Sequence, residues 1–458
     1  MSIIMNVKKN LHQAKVLYQL QDYDAAIKIV KKIVENIPNC FAAHNLLAFI
    51  LQAKGQLPLA ESTFITALAI DDSAADTFHQ LASLQKRLRK PVEAEKNYQR
   101  AIAIDNSRAG FFFDYGLFLG EQGKFEQALA AHLQVLEIDN SQSEVYLHIF
   151  KHFMHMHRYQ DALEIADIGL LCQNLTDFQL YELLIGKAIL FWLFDNVDEA
   201  VQAIVLSDAI HAIEDNNINL NNRRVFHTYI KSLLLYRQNN SSAYQDVQQS
   251  DLPLIYFISE SHGFSTNGMT VTYQQQNHLV KSLFIWGTKI VHLIQEDMNQ
   301  YQASLTILLK GLPTGSNVVL AFGEIDCRTN EGIFKYCNEQ GLDFHAVVDG
   351  MVEKYFNKII VQAKSNNLNI ILYGVPAPHA MLVELLTKDQ QNTFKQMIAY
   401  LNQQLADYSD KENIEFLDVY QLTNLDGLSN LEYHIDSTHV NPGAVPRLFE
   451  LLTPKVIN

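Results

Sequence analysis

Apolar residues follow two different periods along the chain. In the first part they recur at helical spacing, as in Phe64, Ala67 and Leu68 or Tyr98, Ala101 and Ile102. A longer period overlies this one. Alanine returns every 34 residues at Ala26, Ala60, Ala94, Ala128 and Ala162. A second small-residue series runs 12 positions earlier, through Ala14, Ala48, Ala82 and Gly116, until Phe150 breaks it. Polar turns close the units at Asp71-Asp72-Ser73, Asp105-Asn106-Ser107 and Asp139-Asn140-Ser141, with Pro38 in the equivalent earlier place. Small residues at two fixed points let paired helices approach closely, and stacked pairs bury the apolar faces that a single pair leaves open. The pattern continues with shifted spacing over about 178–213, through Gly186, Ala188 and Glu199-Ala200. Glu214–Asn217 and Asn221-Asn222 read as a loop, 224–237 as a helix, and Gln238–Ser242 as a polar linker.

Beyond residue 252 the period changes. Short apolar runs predict strands at 254–258, 282–286, 317–322, 369–373 and 414–419. The intervening amphipathic stretches predict helices at about 288–311, 346–365, 389–409 and 442–453. Such alternation implies a parallel sheet with helices on both faces, whose chemistry gathers in loops at the carboxyl ends of the strands. Those loops are Ser259–Gly263, Trp286-Gly287-Thr288, Gly323–Arg328, Gly374–His379 and Asp436–Gly443.

Composition narrows the function classes. With 458 residues the chain is long enough for two or three domains, and 48% hydrophobic and 19% charged residues suit a globular protein. A net charge of -15 argues against broad nucleic-acid binding. Cys40, Cys172, Cys327 and Cys337 form no CxxC pattern, so reduced thiols and a cytoplasmic location are expected. No signal peptide or membrane span is expected, since the start lacks a cationic segment followed by an apolar one and no long apolar run exists.

The 34-residue unit resembles the tetratricopeptide repeat (TPR), in five regular copies over about residues 7–176 of a solenoid spanning 1–240. That resemblance implies a concave groove for a peptide or protein partner, with Asn45, His79 and Asp114 among its inward polar residues.

The loops of the second part resemble, in order, the blocks of the SGNH (GDSL-type) hydrolases over residues 253–458. The first block reads Ser259-Glu260-Ser261 where the family has Gly-Asp-Ser; Gly287 stands for the second. Gly323-Glu324-Ile325-Asp326 stands for Gly-x-Asn-Asp, and Asp436-Ser437-Thr438-His439 matches Asp-x-x-His. The resemblance implies a three-layer, flavodoxin-like α/β domain that transfers ester-linked acyl groups without a cofactor. Ser261 would be the nucleophile, His439 its base and Asp436 the residue orienting the imidazole. The amides of Ser261 and Gly287 would hold the oxyanion, with Arg328 compensating for Ile325 in place of asparagine. Gly323, Glu324, Asp326, His262 and His379 complete the expected pocket. An acylated carbohydrate, a lipid or a modified protein would be the substrate.

Other roles fit the same residues. Asp436 and Thr438 can cap the helix near Pro442, while Glu324, Asp326 and Arg328 can form an ion-pair network that only shapes their loop. Cys327 has no assigned base, and a metal held by Glu260, His262, Asp436 and His439 would consume the triad. The alternative to an enzyme is a non-catalytic pocket or scaffold in a glycan or surface-modification pathway.

Overall fold

A computed structural model describes residues 2–211, 218–245 and 250–452. The chain forms two compact units that divide between Val145 and Tyr146, inside the helix Ser143–His155.

The first unit is a run of helix pairs: Ser2–Gln19 with Tyr23–Asn36, Phe41–Ala53 with Leu57–Ile70, Ala75–Arg87 with Pro91–Ile104, and Ala109–Glu121 with Phe125–Ile138. The predicted small positions lie at the helix contacts. Ala14, Ala26, Ala48, Ala60, Ala82, Ala94 and Ala128 are all fully buried. The polar turns close as read: Asp71, Asp105 and Asp139 each accept from the backbone N–H and hydroxyl of the serine two residues on. An Asx turn of this kind ends one helix and aims the chain into the next. The unit is an all-helical repeat solenoid of TPR type.

The second unit opens with more helices, Tyr159–Leu170, Asp177–Leu193, Val197–His211 and Ile218–Asn239. Asn221-Asn222 lies inside the last of these and not in a loop; the expected loop at Glu214–Asn217 falls outside the described residues. Phe150, which interrupts the small-residue series, is accommodated by Gly186. A Cβ there would sit 2.3 Å from Phe150 Cζ.

These helices share one apolar core with the α/β part. Trp192, Tyr229, Phe264 and Phe284 belong to the same buried cluster. Trp192 Nε1 donates to Phe264 O at 2.8 Å, and Asn267 Nδ2 donates to Trp192 O at 2.9 Å.

The α/β part is a six-stranded sheet made of β1 (Leu254–Ser259), β2 (Thr270–Tyr273), β3 (Gln276–Phe284), β4 (Asn317–Ala321), β5 (Asn369–Tyr373) and β6 (Glu415–Leu417), in the order β2-β3-β1-β4-β5-β6. All neighbours pair in parallel except β2 with β3. Sequence reading missed this hairpin and placed β3 too late, because Gln274-Gln275-Gln276-Asn277 hides the alternation on either side. The predicted helix 288–311 is two pieces, Ile290–Leu293 and Gln300–Gly311, and the last helix runs only Ala444–Glu450. One sheet face packs on Gln300–Gly311, Phe344–Tyr355 and Lys388–Lys411, the other on Ala444–Glu450. Leaving out β2, the parallel strands follow the doubly wound order 2-1-3-4-5, whose switch point lies beside β1.

Candidate active site

Register brings the site together. Ser259 at the end of β1 stands opposite Phe284 of β3 and Ala321 of β4, so the turns bearing Ser261, Gly287 and Gly323 leave the sheet at one edge. The turn bearing Ser261, Ser261–Thr266, is a buried 3-10 segment. It demands glycine at 263, where a Cβ would lie 2.0 Å from Ser259 Oγ. The closing loop is pinned by a bridge between His434 and Val440 and by Ile435 N donating to His439 O at 3.0 Å. Within it, Asp436 Oδ1 accepts from Thr438 N and His439 N, both at 2.7 Å. Asp436 therefore curls its own loop and does not cap the following helix.

That curl sets a chain of contacts. Asp436 Oδ2 lies 2.7 Å from His439 Nδ1, and His439 Nε2 lies 3.0 Å from Ser261 Oγ. Burial pushes the Asp436 carboxyl up, but the hydrogen bond and charge of His439 and the loop amides outweigh it and hold it well below the usual carboxylate range. His439 is lowered, by burial first and by the nearby His262 charge, against the pull of Asp436. A neutral imidazole with Nδ1–H on Asp436 presents Nε2 as an acceptor to the serine, as a general base requires.

Ser261 Oγ has a second and closer acceptor, Glu260 Oε2 at 2.6 Å. Glu260 is tied to His262, whose Nδ1 lies 2.5 Å from Oε1 and whose Nε2 donates to Thr438 O at 2.9 Å. Burial raises Glu260, but the charge and hydrogen bonds of His262 and Ser261 win and hold it at about 2. His262 is depressed by burial and lifted further by Glu260 and Glu324, to about 9. The pair is a buried carboxylate and imidazolium, so of the two acceptors at Ser261 Oγ, Glu260 is the weaker base. Donor atoms of Glu260, His262 and Glu324 lie within 4.8 Å of one another, as a metal site needs. Within that group, His262 Nδ1 is hydrogen-bonded to Glu260, and Nε2 is held by Thr438 O.

Ser261, Glu260 and His439 open onto a cavity of about 520 Å³. Gly287, Ile325, Arg328, Lys289 and Trp286 line one side; Lys151, Phe178, Val225 and Phe226, from the preceding helices, line the other. Arg328 reaches the cavity, but its Nε and Nη2 donate to Glu324. Asp326 is fully buried and accepts from Ile290 N at 2.7 Å and Val291 N at 3.2 Å. Burial pushes its carboxyl up to about 7 despite those amides. It caps a turn and does not face the cavity. Gly323 adopts φ +124° and is closely approached by Val375. His379, expected in the pocket, instead lines a separate small cavity with Pro376, Leu382 and His434, and its Nδ1 accepts from Met381 N. Burial drives the Cys327 thiol up, so it is a poor nucleophile.

Sequence reasoning missed the contribution of the preceding helices. Tyr229 stacks on His439 with ring centroids 3.6 Å apart and planes 4° from parallel. The run from Leu183 to Leu193 carried a signal: a helix apolar nearly all round is covered on every side.

No family model matches the chain, and no curated protein does. Solved structures do resemble it in part. A tetratricopeptide repeat protein from Parabacteroides merdae matches at 15% identity and TM-score 0.39, covering 52% of this chain and 93% of its own. PilF of Pseudomonas aeruginosa matches at 18% and 0.38, covering 48% and 96%. YrrB, described as a TPR protein with an unusual peptide-binding site, matches at 21% and 0.33, covering 36% and 84%. At these values the likenesses carry no functional weight. Among the described residues, no helix is long and apolar enough to cross a membrane.

Proposed function

We propose that residues 253–458 are a divergent SGNH-type domain that hydrolyses or transfers an ester-linked acyl group. The observation carrying this reading is the Asp436–His439–Ser261 chain opening onto a cavity. Ser261 Oγ would bond the acyl carbon as its proton passes to His439 Nε2. The alkoxide then leaves with that proton, and water or an acceptor hydroxyl releases the acyl group by the reverse route. A lining that mixes Phe178, Phe226 and Trp286 with Lys151, Lys289 and Arg328 suits an acylated sugar or a similar polar ester better than a long acyl chain. In the upstream solenoid, Gln99, Phe112, Tyr115, Gln127 and Gln134 line an open groove of about 570 Å³, which we assign to a peptide or protein partner.

Ile325 supports a second reading, a binding pocket without turnover. It lines the cavity where the resembling family supplies an amide, and one lost oxyanion donor costs about 2.7–4 kcal/mol, roughly 10²–10³ in rate. Burst kinetics separate the two. With an activated aryl acetate, the catalytic reading expects an initial phenolate release equal to the protein concentration, then slow turnover, and no burst in Ser261→Ala. A burst that survives Ser261→Ala rejects the assignment of the nucleophile.

A further inference from the structure

Tyr229 belongs to the helix Ile218–Asn239, 30 residues before Ser259, where the first block of the hydrolase-like part begins. Its side chain nevertheless meets both halves of the site. The ring lies flat on the imidazole of His439 at 3.6 Å, and its hydroxyl oxygen accepts from Ser265 N, in the nucleophile turn, at 3.1 Å. Both residues are essentially without solvent contact.

We propose that Tyr229 is a positioning residue for the general base, through which the helix Ile218–Asn239 holds His439 in register with Ser261 and favours its imidazolium over the face of an aromatic ring. This rests on the catalytic reading above for its consequence, though not for its geometry. Besides Ser261 and the ring, three titratable groups face His439: Asp436 from its own loop, and Glu260 and His262 from the nucleophile turn. Asp436 fixes the ring edge-on, and His262, with ring centroids 4.8 Å apart, opposes a second positive charge. None of these groups lies parallel to the imidazole, the His262 ring being tilted by 43°. Tyr229 does, and burial keeps its hydroxyl neutral. When the serine proton arrives, the new cation forms over the negative face of the phenol ring, where a desolvated contact is strongest. The ring therefore resists rotation of the base and favours its charged form.

The test keeps shape constant and varies the ring's charge distribution. Full-length protein is prepared as wild type, Tyr229→Phe, and with increasingly fluorinated phenylalanines at 229, and folding is followed by thermal melts. Titration of His439 is read by ¹⁵N-histidine NMR, its signals identified by their loss in His439→Gln. Tyr229→Phe should leave the midpoint in place. The most fluorinated ring should lower it by about one pH unit, tenfold in the protonation equilibrium. Phosphonylation of Ser261 by a fluorophosphonate should slow in the same order. An unchanged midpoint across the series overturns the inference. A moving midpoint without phosphonylation of the wild type keeps the inference and rejects the catalytic reading.

Discussion

Glu260 carries a charge buried beside Ser261, and its partner determines what that charge does. His262 has a folded pKa raised to about 9 from an ordinary 6.5, so its contribution to stability is full below about 6.5 and fades as pH rises through 9. Glu260 has the opposite sign: held at about 2 against 4.5, it contributes above 4.5 and is lost as pH falls through 2. Glu260→Gln removes the closer of the two carboxylates facing the buried imidazolium, leaving Glu324 at 3.9 Å, and breaking such a pair costs roughly 3–5 kcal/mol. Denaturant unfolding should show wild-type stability falling between pH 6.5 and 9 and a variant that is weaker and falls less steeply across that window. Equal slopes would mean that the pair is not ionised as described. Ser261, Asp436 and His439, picked out in the sequence by residue type and loop position, lie within hydrogen-bond reach of one another in a chain. The sequence hid the Glu260–His262 pair, since neighbours in sequence face one another only when a turn folds them so.

At the scale of elements, the repeat period was readable because every unit needs the same small contacts. The buried alanines and the three Asx turns occupy the places their spacing assigns. Phe150 looked like a break in the rule, yet Gly186 supplies the space it needs. Gly186→Ala should therefore cost about 1–3 kcal/mol in the wild type through overpacking. In a Phe150→Ala background, itself weakened by about 3–5 kcal/mol, the added methyl should cost close to nothing. Additive losses in thermal unfolding would place Phe150 elsewhere. The β2–β3 hairpin was harder to read, because its turn, Gln274-Gln275, carries positive φ without glycine and so leaves no turn signature in the sequence.

The whole molecule divides where composition does not. The polar stretch near residue 240 suggests a linker, but the compact unit begins at Tyr146 and includes the helices that wall the cavity. Long-range burial of Trp192 and Tyr229 creates that unit, and no local pattern announces it. A fragment starting at Tyr146 should fold and react with serine-directed probes at nearly the full-length rate, whereas one starting at Pro253 should lose both the apolar core and the reaction. Equal reactivity of the two would remove the helices from the site. The central claim, that His439 activates Ser261, is tested most directly by intact-mass analysis after exposure to a fluorophosphonate across pH. The account predicts one adduct, mapped to Ser261, absent in Ser261→Ala and strongly slowed in His439→Ala. Its rate should rise from the acid side with a midpoint below 6.5, since the neutral form of a lowered histidine is the base. A folded wild-type protein that gains no adduct at any pH, or one that labels equally without His439, would contradict it.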